Sequence, residues 1–314
     1  MGKYIFRRLL ALIPVLIISA IIAFFVTNLM PGNPVRLMLG DFATEEQVLE
    51  MTQALGYDKP LLVRFFIWAG HIVQGDLGRS IFLHIPVTTA IAQRLEPTLL
   101  LAAAGMFFGV LIGIPLGMLS AIHHRTVVDK LCISVSLLGI SIPSFFIAIV
   151  LILVFGVYFD WLPVAGYQPI SEAGIGVVRY LILPGISLGL MQSGLIARMT
   201  RSAMLDVLNQ NYIRTARSKG LLPMQINFIH ALKNAMTPII TVIGFSLAAL
   251  IGGTWIIETI FNIPGIGALA ISAILRRDYP VIQGCLLFSV AVYLLVNLLV
   301  DILYAWVNPT IRYQ

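Results

Sequence analysis

Six stretches of the chain run for eighteen residues or more without a charged side chain: Leu9 to Val35, Pro97 to His124, Leu131 to Phe159, Tyr180 to Ala197, Asn234 to Ile257 and Tyr279 to Val300. Each is long enough to cross a hydrocarbon core of about 30 Å as a helix with some tilt. In lipid the backbone must satisfy its own hydrogen bonds, so helices are the expected spanning form. The pattern predicts an all-α, polytopic membrane protein with six transmembrane helices. It divides into residues 1–8, a first span at 9–30, a polar segment at 31–96, a core of five spans at 97–308 and a short tail at 309–314. The core carries one polar loop at 198–235 and another at 258–279. Lys3, Arg7 and Arg8 precede the first span in the manner of a signal peptide. The apolar run is too long for one and no small-residue cleavage site follows, so it is expected to remain as a helix.

Pro115, Pro143, Pro184 and Pro238 fall inside the runs, where proline removes a hydrogen bond and kinks a helix. Gly105, Gly109, Gly113 and Gly117 recur every fourth residue and share one helix face. That face predicts close approach of a neighbouring helix, with a pore lining as the alternative. The segment between the first two spans has amphipathic pieces at Glu45 to Leu55 and Leu61 to Val73, and ends in the turn-rich Gly75-Asp76-Leu77-Gly78-Arg79-Ser80. Pro264-Gly265-Ile266-Gly267 and Arg276-Arg277-Asp278 lie before the last span. Asp76, Gly78, Pro264, Gly265, Arg277 and Asp278 are therefore candidates for a surface that caps a channel or receives a partner. Plain connection is the other reading.

Composition agrees with the pattern: only 11% of residues are charged and 59% are hydrophobic, where a soluble domain carries about 25% charge. With the amino terminus in the cytoplasm, the inside segments hold twelve basic and three acidic residues, and the outside segments eight and eleven. The basic excess then lies inside, so both termini are expected to be cytoplasmic. The net charge of +6 is scattered between apolar runs and gives no nucleic-acid surface. Cys132 and Cys285 sit within apolar runs and read as buried small residues, and no metal-ligand cluster is visible. The five histidines and the acids assemble no nucleophile, base or metal set, which argues against an enzyme. A proton- or sodium-coupled carrier would place ionisable groups near the midplane, and none occurs there. The polar residues inside spans, Ser141, Ser144, Gln192, Ser193, Ser246 and Asn297, are candidates for a translocation path or for bonds between helices.

The loop from Arg198 to Lys233 is polar and basic but helical in pattern. Asn211 suits an N-cap and Gly220 a C-terminal glycine. Tyr212 to Lys219 would make about two turns, roughly 12 Å of helix, with Arg217 and Lys219 in the last turn. Pro223 can open a second helix that runs into the fifth span. Such a capped helix is either a rigid knob that transmits force from a partner or a basic loop lying on anionic lipid.

The sequence Tyr212-Ile213-Arg214-Thr215-Ala216-Arg217-Ser218-Lys219-Gly220 resembles the coupling motif of the dipeptide/oligopeptide/glutathione/nickel branch of ABC-importer permeases. His230-Ala231-Leu232-Lys233-Asn234-Ala235 and Pro238 resemble its continuation. Arg7-Arg8-Leu9, Pro31-Gly32-Asn33-Pro34, Gly75-Asp76-Leu77-Gly78, Pro264-Gly265, Arg277-Asp278-Tyr279-Pro280 and Asn308-Pro309 extend the likeness along nearly the whole chain. It is greatest to the first, B-type, permease of dipeptide and glutathione importers. The resemblance implies a type I importer transmembrane domain of the MetI-like class in the bacterial inner membrane. It implies a second homologous permease as partner, two cytoplasmic ATP-binding subunits, and a periplasmic or lipid-anchored solute-binding protein. Arg214, Thr215, Ala216, Arg217, Lys219 and Gly220 become the expected ATPase-coupling residues. The chain has no Gly-x-x-x-x-Gly-Lys-Ser/Thr phosphate loop, so ATP and magnesium are expected on the partner subunits. Peptides, glutathione and nickel chelates all remain open as solutes.

Overall fold

A computed structural model describes residues 2–29, 34–39, 43–54 and 56–307. Met30 to Asn33 and the Asn308-Pro309 tail, which contribute to the resemblance, lie outside the described residues. Helix α1 (Gly2–Leu29) is followed by three shorter helices, α2 (Pro34–Leu39), α3 (Glu45–Ala54) and α4 (Leu61–Val73). The core begins with α5 (Val87–Ile122), α6 (Val127–Ser141) and α7 (Ser144–Leu151), the last continuing as a π-helical stretch over Ile152–Tyr158. A short α8 (Ile170–Ala173) leads into α9 (Val177–Leu208) and then α10 (Asn211–Ser218). A one-turn α11 (Pro223–Gln225) runs through π-helical Ile226–Leu232 into α12 (Lys233–Gly253). Helices α13 (Trp255–Ile260), α14 (Ile266–Arg276) and α15 (Tyr279–Val307) are the last of the described residues.

Five of the predicted spans are single apolar helices, within Arg7–Leu29, Val87–Ile122, Ile170–Leu208, Pro223–Gly253 and Tyr279–Val300. The third departs from expectation. Leu131 to Phe159 is a pair of helices, α6 and α7, bent by 97° at Ser141–Pro143. Proline disfavours the helical conformation of the residue before it, and Ile142 is extended at φ −84°, ψ 124°. The expected kink is here a complete break.

The centre of the fold is the packing of α5 on α9, its most extensive helix pair. At 36 and 32 residues they reach about 54 and 48 Å at 1.5 Å per residue, well beyond a bilayer core. The glycine face of α5 makes this pairing possible. A Cβ on Gly113 would lie 2.7 Å from the Ser193 carbonyl, and one on Gly117 would lie 2.5 Å from that of Ala197 and 2.6 Å from Thr200 Cβ. Of the two readings of this stripe, helix packing is the one the close approach of α9 supports. Three apolar clusters follow along the bundle: a large central one, one at the end where α14 and α15 meet α5, and one where α10 meets the far ends of α5, α9 and α12. Helix α1 lies against α15 at the periphery, leaving Ile17, Ile18 and Ile22 exposed. An apolar outward face of this kind suits lipid.

Candidate coupling and translocation site

Helix α10 is short, polar and held at both ends. Its N-cap is Gln210, extended at φ −73°, ψ 150°, with no side-chain cap; Asn211, expected as the cap, is instead the first helical residue. Asn is the better capping residue, but the extended residue here is Gln210, so the start of the helix is set without a side-chain cap. The other end matches expectation. Gly220 has φ +76°, Gly220 N–H donates to Arg217 O at 3.0 Å, and Leu221 N–H donates to Ala216 O at 3.3 Å. These are the two bonds of a Schellman motif. The chain turns at Leu222, whose N–H donates to Gln225 Oε1 at 3.3 Å, and Pro223 starts the next helix.

One residue fixes α10 to the bundle. Ile213 is fully buried among Met118, Met204, Ile226 and Ala231, with Ala216 and Leu221 packed beside it. The opposite face presents Arg214, Thr215, Arg217 and Lys219 to solvent, with Gly220 exposed at the end. All six expected coupling residues therefore lie on one eight-residue helix and its cap, five of them exposed and Ala216 half-buried.

A buried ion pair lies near the same end, and sequence reading missed it. Asp129 accepts from Arg201 Nε at 2.8 Å and Nη2 at 2.9 Å, from Arg125 N–H at 2.9 Å, and from Ser120 Oγ. The His124 ring stands 3.3 Å from the same carboxylate. The α5–α6 turn is thereby tied to the part of α9 that leads into α10.

The opposite end is clamped by carboxylates. Glu258, fully buried, accepts from Thr98 Oγ1 at 2.8 Å, Thr254 Oγ1 at 2.7 Å and Ala268 N–H at 2.9 Å. Gly265 must be glycine, because a Cβ there would overlap the Glu258 carboxylate. Asp278, 3% exposed, accepts from Ser80 Oγ at 2.5 Å and from the N–H groups of Ile81 and Phe82. Tyr167 donates to Glu96 Oε1 at 2.5 Å. Burial, and then that carboxylate, push the Tyr167 phenol above its usual pKa, so it stays a donor at any physiological pH. Of the expected docking residues, Asp76, Pro264 and Arg277 are exposed. Gly265 and Asp278 face inward and position these loops, while Gly78, at φ +83°, closes a turn in which it donates to Asp76 Oδ1 at 2.8 Å. Glu258 sits at the end of an apolar run, and that isolation was the available signal.

The in-span polar residues separate into groups. Gln192 and Ser246 line a single open cleft of about 570 Å³ between α9 and α12. Ser193 turns away from it and donates to Leu190 O at 2.7 Å. Ser141 and Ser144 flank the break between α6 and α7. Asn297 lies on α15, its Oδ1 buried and unpaired among the described residues. The cleft adds Arg198 and Ser202, which sequence reading treated only as parts of a cytoplasmic loop.

A family described as binding-protein-dependent transport system inner membrane component matches residues 113–313, and its amino-terminal companion matches residues 1–102. The chain belongs to this family. The permease is accordingly a non-catalytic, multi-span inner-membrane subunit of an ABC importer. It is 43% identical to a probable peptide ABC transporter permease of Sinorhizobium fredii over 313 residues, covering 100% of both chains. A putative peptide transport system permease of Brucella abortus is also 43% identical, over 314 residues and 100% of both. The glutathione transport system permease GsiC of Salmonella typhimurium is 40% identical over 315 residues, again 100% of both. Among solved structures, a chain of the MetNI methionine ABC transporter superposes with a TM-score of 0.57 at 20% identity, over 70% of the permease and 96% of that chain. That likeness establishes the MetI-like, type I importer fold.

Proposed function

We propose that the permease is one of two homologous membrane subunits of an ATP-driven importer for dipeptides, oligopeptides or glutathione-like peptides. The observation that carries the mechanism is α10: a rigid basic helix, anchored through Ile213 and closed by Gly220, offering Arg214, Thr215, Arg217 and Lys219 outward. Its place between α9 and α12 suits a lever. A cytoplasmic ATPase that closes on ATP pushes α10, and the buried apolar contact passes the displacement to both long helices. ATP-bound and ADP-bound ATPases bind α10 differently, and this difference biases the bundle between outward-open and inward-open states. Both termini and α10 then lie in the cytoplasm, in keeping with the basic excess there. The clamped loops at the other end, with exposed Asp76, Pro264 and Arg277, receive the solute-binding protein. The full-length relatives named for peptide and glutathione transport support the solute class.

The test is reconstitution of the permease with its paired permease and ATPases in proteoliposomes, supplied with binding protein. ATP-dependent uptake of a dipeptide or of glutathione supports the reading. Uptake driven by a proton gradient without ATP would remove it.

A further inference from the structure

The cleft between α9 and α12 holds an unusual combination. Arg198 is exposed within it and has no hydrogen-bond or ion-pair partner among the described residues. Arg201, three residues on along the same helix, is fully engaged by Asp129. Gln192, about 1.7 turns before Arg198, is 6% exposed, and its Oε1 is buried without a partner among the described residues. A buried polar atom left unpaired is costly, and native structures rarely leave one without a reason. Ser202 and Ser246 add hydroxyls, and Met191 and Phe245, 40% and 49% exposed, supply apolar surface. At about 570 Å³ the cleft falls within the usual size range of small-molecule sites.

From this we infer that the cleft is a transient solute site, in which Arg198 pairs with the carboxylate end of the solute and Gln192 bonds its amide. The inference rests on the peptide-import reading. A peptide presents one carboxylate and at least one amide, the groups that a free guanidinium and an unpaired carboxamide recognise. Arg198 closes the uncharged run from Tyr180 to Ala197, at the cytoplasmic end of α9 in the orientation proposed above. A cation there draws a carboxylate inward through an otherwise uncharged passage, and Met and Phe surfaces accept varied side chains. A lipid phosphate is the other anion that could satisfy the same guanidinium.

The experiment uses the assembled complex in proteoliposomes, with a free dipeptide as probe and with ATP hydrolysis and complex assembly measured in parallel. Arg198→Gln is expected to lower dipeptide uptake about tenfold, the scale of one lost charge-assisted hydrogen bond. Binding-protein-stimulated ATP hydrolysis should persist, and Arg198→Lys should restore part of the uptake. Gln192→Leu, which keeps the volume and removes the amide, should lower uptake in the same uncoupled way. Uptake by Arg198→Gln within about twofold of wild type would overturn the inference. So would parallel loss of uptake and ATP hydrolysis, which would place Arg198 in assembly or coupling. Disappearance of the defect in vesicles of phosphatidylcholine alone would assign the guanidinium to anionic lipid and overturn it as well. Absence of dipeptide uptake by the wild-type complex would instead remove the peptide reading itself, and this inference with it.

Discussion

Alanine substitutions along the glycine face of α5 should be tolerated at Gly105 and Gly109, damaging at Gly113 and most damaging at Gly117. The spacing to α9 sets the order. A Cβ on Gly105 would meet Leu188 Cβ at 3.0 Å, and one on Gly109 would meet Gln192 Cβ at 3.1 Å. Both neighbours are Cβ atoms that move only with their backbone, but the overlap is a few tenths of an ångström, which a slight displacement of α9 relieves. At Gly113 the nearest atoms are the Ser193 carbonyl at 2.7 Å and Ile196 Cβ at 2.9 Å. At Gly117 they are the Ala197 carbonyl at 2.5 Å and Thr200 Cβ at 2.6 Å. A backbone carbonyl in a long helix cannot give way alone, so the two helices must part. Overpacking typically costs about 1–3 kcal/mol, whereas replacing glycine by alanine inside a helix contributes about 1 kcal/mol. Gly105→Ala and Gly109→Ala should therefore be close to neutral. Gly117→Ala, whose contacts are the tightest, should lose about 2 kcal/mol after that offset, the top of the range. The assay is thermal unfolding of the purified permease in detergent, followed by recovery of the assembled complex. If Gly117→Ala is no less stable than Gly105→Ala, the α5–α9 contact described above is wrong.

Gly220→Val should strain α10, because left-handed backbone costs a non-glycine residue about 1–2 kcal/mol and a branched one more; the expected result is normal membrane insertion with reduced ATP-driven uptake. Nothing lies within 4 Å of a Cβ there, so Gly220→Asn, which tolerates this conformation, should retain most uptake. Glu258→Leu should destabilise the outer loops by leaving Thr98, Thr254 and the Ala268 N–H unpaired, whereas Glu258→Gln keeps acceptors and should be milder; limited proteolysis of the 258–279 loop distinguishes them. Asp129→Ala should leave Arg201 partly buried and unpaired, a loss of about 3–5 kcal/mol for a buried pair, with Asp129→Ala/Arg201→Met recovering stability in the same unfolding assay.

The spans were readable because hydrophobic length is a property of each segment alone. Breaks were not. Pro115, Pro184 and Pro238 lie within continuous helices, while Pro143 ends one. What separates them is the tertiary setting of the preceding residue, which proline itself does not reveal. The coupling helix was legible at Gly220, where one residue type suits the backbone, and misplaced by one residue at Asn211, because the helix begins after Gln210 with no side-chain cap and so does not use the better capping residue. Asp129 with Arg201 and Glu258 with Thr98 were invisible as pairs. Their partners are 72 and 160 positions apart, and singly they pass for topology markers at span ends. Arg198 was hidden in the same way among the basic residues of its loop.

The most direct test of the account is the position of α10. Arg214→Cys, placed in a permease whose Cys132 and Cys285 are replaced by serine, exposes one thiol on the outward face of that helix. The account predicts that it crosslinks to the ATPase subunit, that ATP changes the yield, and that a membrane-impermeant thiol reagent added outside intact cells leaves it unlabelled. Labelling from outside, with no crosslink to a nucleotide-hydrolysing subunit, would contradict it.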